Sequence, residues 1–108
     1  MDKLERYRDI SEQVLKRHVY SFPDISDKAI FDRQSDSYLI LRQGWEGSKR
    51  IQSIVTHLEI INGKIWIQED WIEHGIAADL EAAGIPKSDI VLGFQPPYVR
   101  PFTDYAAA

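Results

Sequence analysis

Ser37 to Asp70 reads SYLILRQGWEGSKRIQSIVTHLEIINGKIWIQED, and the register of this stretch decides the fold. Asn62-Gly63 is a two-residue hairpin signal, because a type I′ turn needs φ > 0 at both central positions and these two residues tolerate it. If Ile61 faces Lys64, then Ile60 pairs with Ile65, Glu59 with Trp66, Leu58 with Ile67 and His57 with Gln68. Cross-strand partners share a face and side chains alternate with period 2. Ile54, Leu58, Ile60, Ile65 and Ile67 then fall on one face, with Thr56 and Glu69 nearer its far end. Val55, His57, Glu59, Lys64, Trp66 and Gln68 fall on the other. A slip of one residue scatters the apolar set, so the register is strongly specified. The result is a ribbon with one apolar side that needs a cover.

The cover comes from the segments around it. From Asp2 to about Tyr20, Leu4, Tyr7, Ile10, Val14 and Leu15 recur at helical spacing opposite Glu5, Asp9, Glu12 and Lys16. Asp2 and Glu5 resemble a capping box, and Ser21-Phe22-Pro23 ends the helix. Lys28 to Arg33 and Tyr38 to Trp45 read as two strands, Lys49 to Ile61 as a long third and Lys64 to Asp70 as a fourth. Asp70 with Glu73 opens a second helix carrying Ile72, Ile76, Leu80 and Ala83. Gly84-Ile85-Pro86 closes it in a Schellman arrangement. Ile90 to Phe94 reads as a fifth, buried strand. The run Gln95 to Phe102 contains Pro96, Pro97 and Pro101 and is expected to be extended, anchored by Tyr98 and Phe102 on the body or on a partner. The expected architecture is one α+β domain over residues 1–108, with an antiparallel sheet of about five strands and two helices on one face.

Composition narrows the function classes. The chain has 108 residues, 44% of them hydrophobic and 28% charged, with no cysteine, so disulfides, thiolate metal sites and cysteine nucleophiles are unavailable. The start, MDKLERYRDI, lacks the apolar region of a secretory signal, and no apolar run approaches the roughly 18 residues of a membrane span. A cytoplasmic protein without membrane association is expected. Net charge is −4 and the basic residues are dispersed, so the concentrated cationic face of a stand-alone nucleic-acid binder is missing. Arg42, Lys49 and Arg50 read first as edge charges that discourage strand pairing.

Catalytic and cofactor signatures are absent: no phosphate-binding glycine loop, no zinc-protease motif, no nucleophile elbow. The three histidines, His18, His57 and His74, fall on a helix end, a strand and a helix start, and nothing in the sequence brings them together. No cofactor or metal is expected. His57 and Glu59 share a strand face with Trp66 and Gln68 opposite them. A solvated sheet face outweighs an acid–base or small-ligand site there, and a partner interface is the third reading.

Nearly the whole chain resembles the XisI family. The matching stretches are MDKLERYRDI, then GWEG, HLEIINGKIWIQED, and GIAADLEAAGIPKSDIVLGFQPPYVRPFTDYA. The resemblance implies an excision controlling factor for a DNA element. In cyanobacteria, XisI acts with its companion XisH in excision of the fdxN element during heterocyst development, and a separate site-specific recombinase cuts and rejoins. It therefore implies a non-enzymatic accessory protein working through a XisH-like partner, touching DNA only indirectly, with homodimerisation open. The contacts assigned to that partner are Trp66, His57, Pro96, Pro97, Tyr98, Arg100 and Phe102. The alternatives are a direct DNA-binding regulator and a small-ligand protein or enzyme with its site around His57 and Glu59.

Overall fold

A computed structural model describes residues 2–108. The chain runs α1 (Lys3–Lys16), β1 (Ile25–Asp32), β2 (Ser37–Glu46), β3 (Lys49–Ile61), β4 (Lys64–Asp70), α2 (Ile76–Ala82) and β5 (Ile90–Val91). The strands lie in one sheet in sequence order, β1 to β4 as an antiparallel meander. β5 pairs parallel to β4, so the expected five-stranded sheet is antiparallel except for this one pair. The reason is α2: a helix between neighbouring strands carries the chain back to the end where the first strand began.

The hairpin forms as the sequence dictates. Asn62 (φ 50°) and Gly63 (φ 77°) both occupy the left-handed region. Ile61 faces Lys64, Ile60 faces Ile65, Glu59 faces Trp66 and Leu58 faces Ile67. One step further the ladder shifts: His57 lies opposite Glu69, not Gln68, because Gln68 is an extra residue at a bulge. A second irregularity pairs Ile40 with Thr56 but Leu41 with Ile54, leaving Val55 as the extra residue. The bulge exchanges two expected positions. Val55 is buried in the core, whereas Ile54 is half-buried.

The core joins Tyr7, Ile10, Val14 and Leu15 of α1 to Tyr38 and Ile40 of β2, Leu58 and Ile60 of β3, and Ile65 and Ile67 of β4. Ile76 and Leu80 of α2, with Ile85 and Ile90, complete it. Each such side chain contributes about 1.5–3 kcal/mol relative to exposure. Leu4, expected in the helical stripe, is exposed one turn short of the core.

Local chemistry sets the helix ends. Asp2 caps α1, its Oδ1 accepting from the Glu5 amide at 2.8 Å. The helix stops at Lys16 instead of continuing to Tyr20, because the backbone of Tyr20 is already claimed by β1. Its N–H donates to the Asp27 carboxylate at 3.0 Å and its carbonyl accepts from the Asp27 amide at 2.8 Å. That exchange also lets β1 begin at Ile25, earlier than expected.

α2 begins at Ile76 and not at Asp70. Gly75 takes φ 84°, a conformation that a side chain disfavours, so the chain turns before the helix starts. Asp70 still serves the helix from a distance, accepting from the Ile72 amide at 3.1 Å and the Ile76 amide at 2.9 Å. Glu73 is left exposed outside the helix. The far end closes as expected: the Ile85 amide donates to the Leu80 carbonyl at 3.1 Å and the Gly84 amide to the Glu81 carbonyl at 3.0 Å.

The C-terminal segment departs most from expectation. β5 spans two residues instead of five, since the chain turns after Val91, with the Gly93 amide on the Val91 carbonyl at 3.0 Å. The proline-containing arm is coiled, not extended. The Pro96 carbonyl accepts from the Val99 amide at 2.9 Å, and a single 3-10 turn follows over Arg100–Phe102. Pro101 fits that turn because its fixed φ is close to the helical value. Ala106 then pairs with Val91 in a parallel bridge, its amide on the Ile90 carbonyl at 2.8 Å, and so covers the outer edge of β5.

Candidate functional site

The sheet face away from the helices carries His57, Glu59, Trp66 and Gln68, as the hairpin register requires, and the structure gives each a structural partner. His57 Nε2 lies 2.7 Å from Ser37 Oγ, and Gln68 Nε2 donates to Glu59 Oε1 at 3.2 Å. The two pairs are separate, so no acid–base couple links His57 to Glu59. Trp66, expected as an open contact, is half-buried because Arg100 stacks on its ring, 4.9 Å from guanidinium carbon to ring centre. The same guanidinium donates from Nε to the Gln95 carbonyl at 3.0 Å and from Nη2 to the Gly93 carbonyl at 3.3 Å. Arg100 therefore clips the arm to the sheet.

That clip determines what faces outward. Pro96 and Pro97 are exposed on the turn. Tyr98 is 76% and Phe102 is 89% exposed, so neither anchors the arm on the body. Phe94, half exposed, is seated by its amide on the Ile67 carbonyl of β4 at 3.1 Å. Together with Trp71, Gln68, Glu69 and Asp70 it lines a shallow groove of about 280 Å³. Trp71 is 77% exposed. Sequence reasoning did not single it out; its one signal was an aromatic placed directly after the last strand residue. Four large aromatics are thus exposed: Trp71 and Phe94 at one groove, and Tyr98 and Phe102 on the arm that Arg100 clips to the sheet, the residue types enriched at protein interfaces.

A second cluster joins parts that the sequence kept apart. His18, just past α1, and His74, in the loop before α2, both direct Nε2 at Asp79 of α2, at 2.5 Å and 3.2 Å. Burial pushes the Asp79 carboxyl up, but the hydrogen bonds from His18 and His74 outweigh it and hold the group below the usual carboxylate range. His18, expected at a helix end, lies just past α1 and pairs with a side chain of the other helix.

Ion pairs fix the frame around these surfaces. Arg42 grips Asp27 through two bonds, Nε at 2.7 Å and Nη2 at 3.0 Å, and the Asp27 side chain is 1% exposed. Burial raises the Asp27 carboxyl, yet Arg42 and the Tyr20 amide together leave it lowered. Tyr105 ties the tail to α2, its hydroxyl donating to Glu81 at 2.8 Å; burial and that carboxylate push the phenol up to about 12. Among the described residues, no helix is long and apolar enough to cross a membrane.

Comparison with known proteins agrees with this architecture. A family model described as XisI protein matches residues 1–107. The crystal structure of a XisI-like protein from Anabaena variabilis ATCC 29413 superposes with a TM-score of 0.91 at 35% identity, covering 97% of this chain and 99% of that one. The crystal structure of fdxN element excision controlling factor XisI from the same organism gives a TM-score of 0.84 at 46% identity, covering 99% and 100% respectively. No curated protein sequence matches the chain.

Proposed function

The chain belongs to the XisI family, and from that premise we propose that it is a non-enzymatic factor controlling excision of a DNA element through a XisH-like protein partner. The observation that carries the partner role is the exposure of four aromatics, Trp71 and Phe94 at one groove and Tyr98 and Phe102 on the arm that the Arg100–Trp66 clip holds to the sheet. Large aromatics on ordered backbone are the residues that dominate protein interfaces. The charge balance supports the same reading. At −4 overall, the chain lacks the cationic excess that phosphate binding draws on, so contact with DNA is assigned to the partner and the recombinase. The His57–Ser37 and Glu59–Gln68 pairs support an accessory role over a catalytic one, because both groups are engaged structurally.

Removing the arm altogether is a poor test, since Tyr105 and Ala106 brace α2 and β5. Tyr98→Ser and Phe102→Ser are better suited, because both side chains are exposed and such changes leave stability within about 0.5 kcal/mol. The expected result is a XisH-like protein that copurifies with the wild type and not with the double variant. Equal recovery with both overturns the assignment.

A further inference from the structure

The meeting point of His18, His74 and Asp79 has a geometry that a helix-to-helix brace does not require. One carboxylate and one side-chain atom from each imidazole lie within 4.8 Å of one another. Three separate elements supply them: the segment after α1, the loop before α2, and α2 itself. The two rings are 5.6 Å apart and tilted by 45°, and both Nε2 atoms approach the same Asp79 carboxylate oxygen. Exposure rises from His18 (14%) through Asp79 (25%) to His74 (54%), which leaves the cluster open on one side. That side opens into a cleft of about 310 Å³ lined by His18, His74, Tyr20, Arg42, Trp71 and Glu73.

We propose that His18, His74 and Asp79 form a binding site for a first-row divalent transition-metal ion, with the open position directed into this cleft. Two imidazoles and one carboxylate suit ions such as Zn²⁺, whereas Ca²⁺ and Mg²⁺ prefer oxygen-only sets. In a tetrahedral zinc site the ligand bonds are about 2.0–2.2 Å, which sets neighbouring ligand atoms roughly 3.3 Å apart. The His74–Asp79 separations, 3.2 and 3.3 Å, already meet that spacing. His18 and Asp79, at 2.5 Å, have to separate by roughly 0.8 Å to admit the ion, a small displacement for a side chain beyond the end of its helix. Without metal, the carboxylate lies within hydrogen-bonding distance of both imidazole nitrogens; with metal, one dication sits between the three ligand atoms and ties the segment after α1 to α2. Of the two other charged groups lining the cleft, Arg42 is already neutralised by Asp27, and Glu73 adds negative charge. The site lies apart from the aromatic surface except at Trp71, whose indole reports on both.

The test uses the full chain, freed of metal with a chelator, and Zn²⁺ alone. Calorimetry at pH 7.5 is expected to show one ion per chain, with a melting temperature that climbs with Zn²⁺ concentration because only the folded state holds the ligands together. His74→Ala is expected to melt like the wild type without metal, its side chain being half exposed, yet to lose affinity on the order of 100-fold or more. Asp79→Asn tests the carboxylate and is expected to show a comparable loss. Absence of heat and of any melting shift at about 1 mM Zn²⁺, far above the range of specific sites, overturns the proposal. So does Zn²⁺ binding of equal strength to wild type and His74→Ala.

Discussion

Replacing Arg42 with Met keeps an aliphatic stem but leaves the Asp27 carboxylate, 1% exposed, without its cation. Two of the three hydrogen bonds it accepts disappear, and the Tyr20 amide alone remains. Removing one member of a buried pair costs about 3–5 kcal/mol; Arg42 reaches solvent, so the lower end, about 3 kcal/mol, is expected near pH 7. The cost depends on pH with a definite sign. In the wild type the Asp27 carboxyl is lowered, so its stabilisation is present above the unfolded value near 3.9 and is lost as pH falls through the folded value. In Arg42→Met, burial acts with one opposing hydrogen bond and raises the group, so the folded variant binds a proton more readily than the unfolded chain. Its stability then declines as pH rises above about 4. Urea unfolding of both proteins at pH 4.5, 5.5 and 7 is therefore expected to show a gap that is widest at pH 7 and narrows with acid. A gap under about 1 kcal/mol at pH 7, or one constant with pH, refutes the reasoning.

The core and its irregularities give further expectations. Leu58→Ala removes a fully buried side chain from the centre of β3 and is expected to cost about 2–5 kcal/mol in urea unfolding. Thr56 is fully buried, and its hydroxyl has no hydrogen-bonding partner among the described residues, so Thr56→Val is expected to stabilise the fold by about 1 kcal/mol. A melting temperature below the wild type's contradicts that. Gly75→Ala places a side chain at φ 84° and is expected to lower stability by at least about 1 kcal/mol, with no change in the β3–β4 hairpin amides by NMR.

The parts of the fold that were legible in the sequence are those with short-range signals. Asn62-Gly63 phased the hairpin because turn chemistry and the alternating isoleucines agree. Gly84-Ile85-Pro86 and Asp2 marked helix ends because a cap acts over three or four residues. The bulges at Val55 and Gln68 left no such mark, since one extra residue inverts the alternation beyond it without any turn or breaker residue to signal the change. The late start of α2 was hidden for a related reason: Asp70 and Glu73 imitate a capping box, while Gly75 imposes a turn between them and the helix. In the site, prolines excluded helix and central strand from the arm but are equally compatible with an extended chain and with the coiled turn that Arg100 secures. The Arg100–Trp66 stack and the His18–Asp79 pair join residues far apart in sequence, and only the assembled fold brings them together.

The proposed partner surface is tested most directly by amide hydrogen exchange of the chain alone and in complex with a XisH-like protein. Slowed exchange in complex is expected in two stretches, the amides around Trp71 and those from Phe94 to Phe102, with the β1 edge unchanged. Protection confined to Ile25–Asp32, with the aromatic arm exchanging as in the free chain, contradicts the assignment.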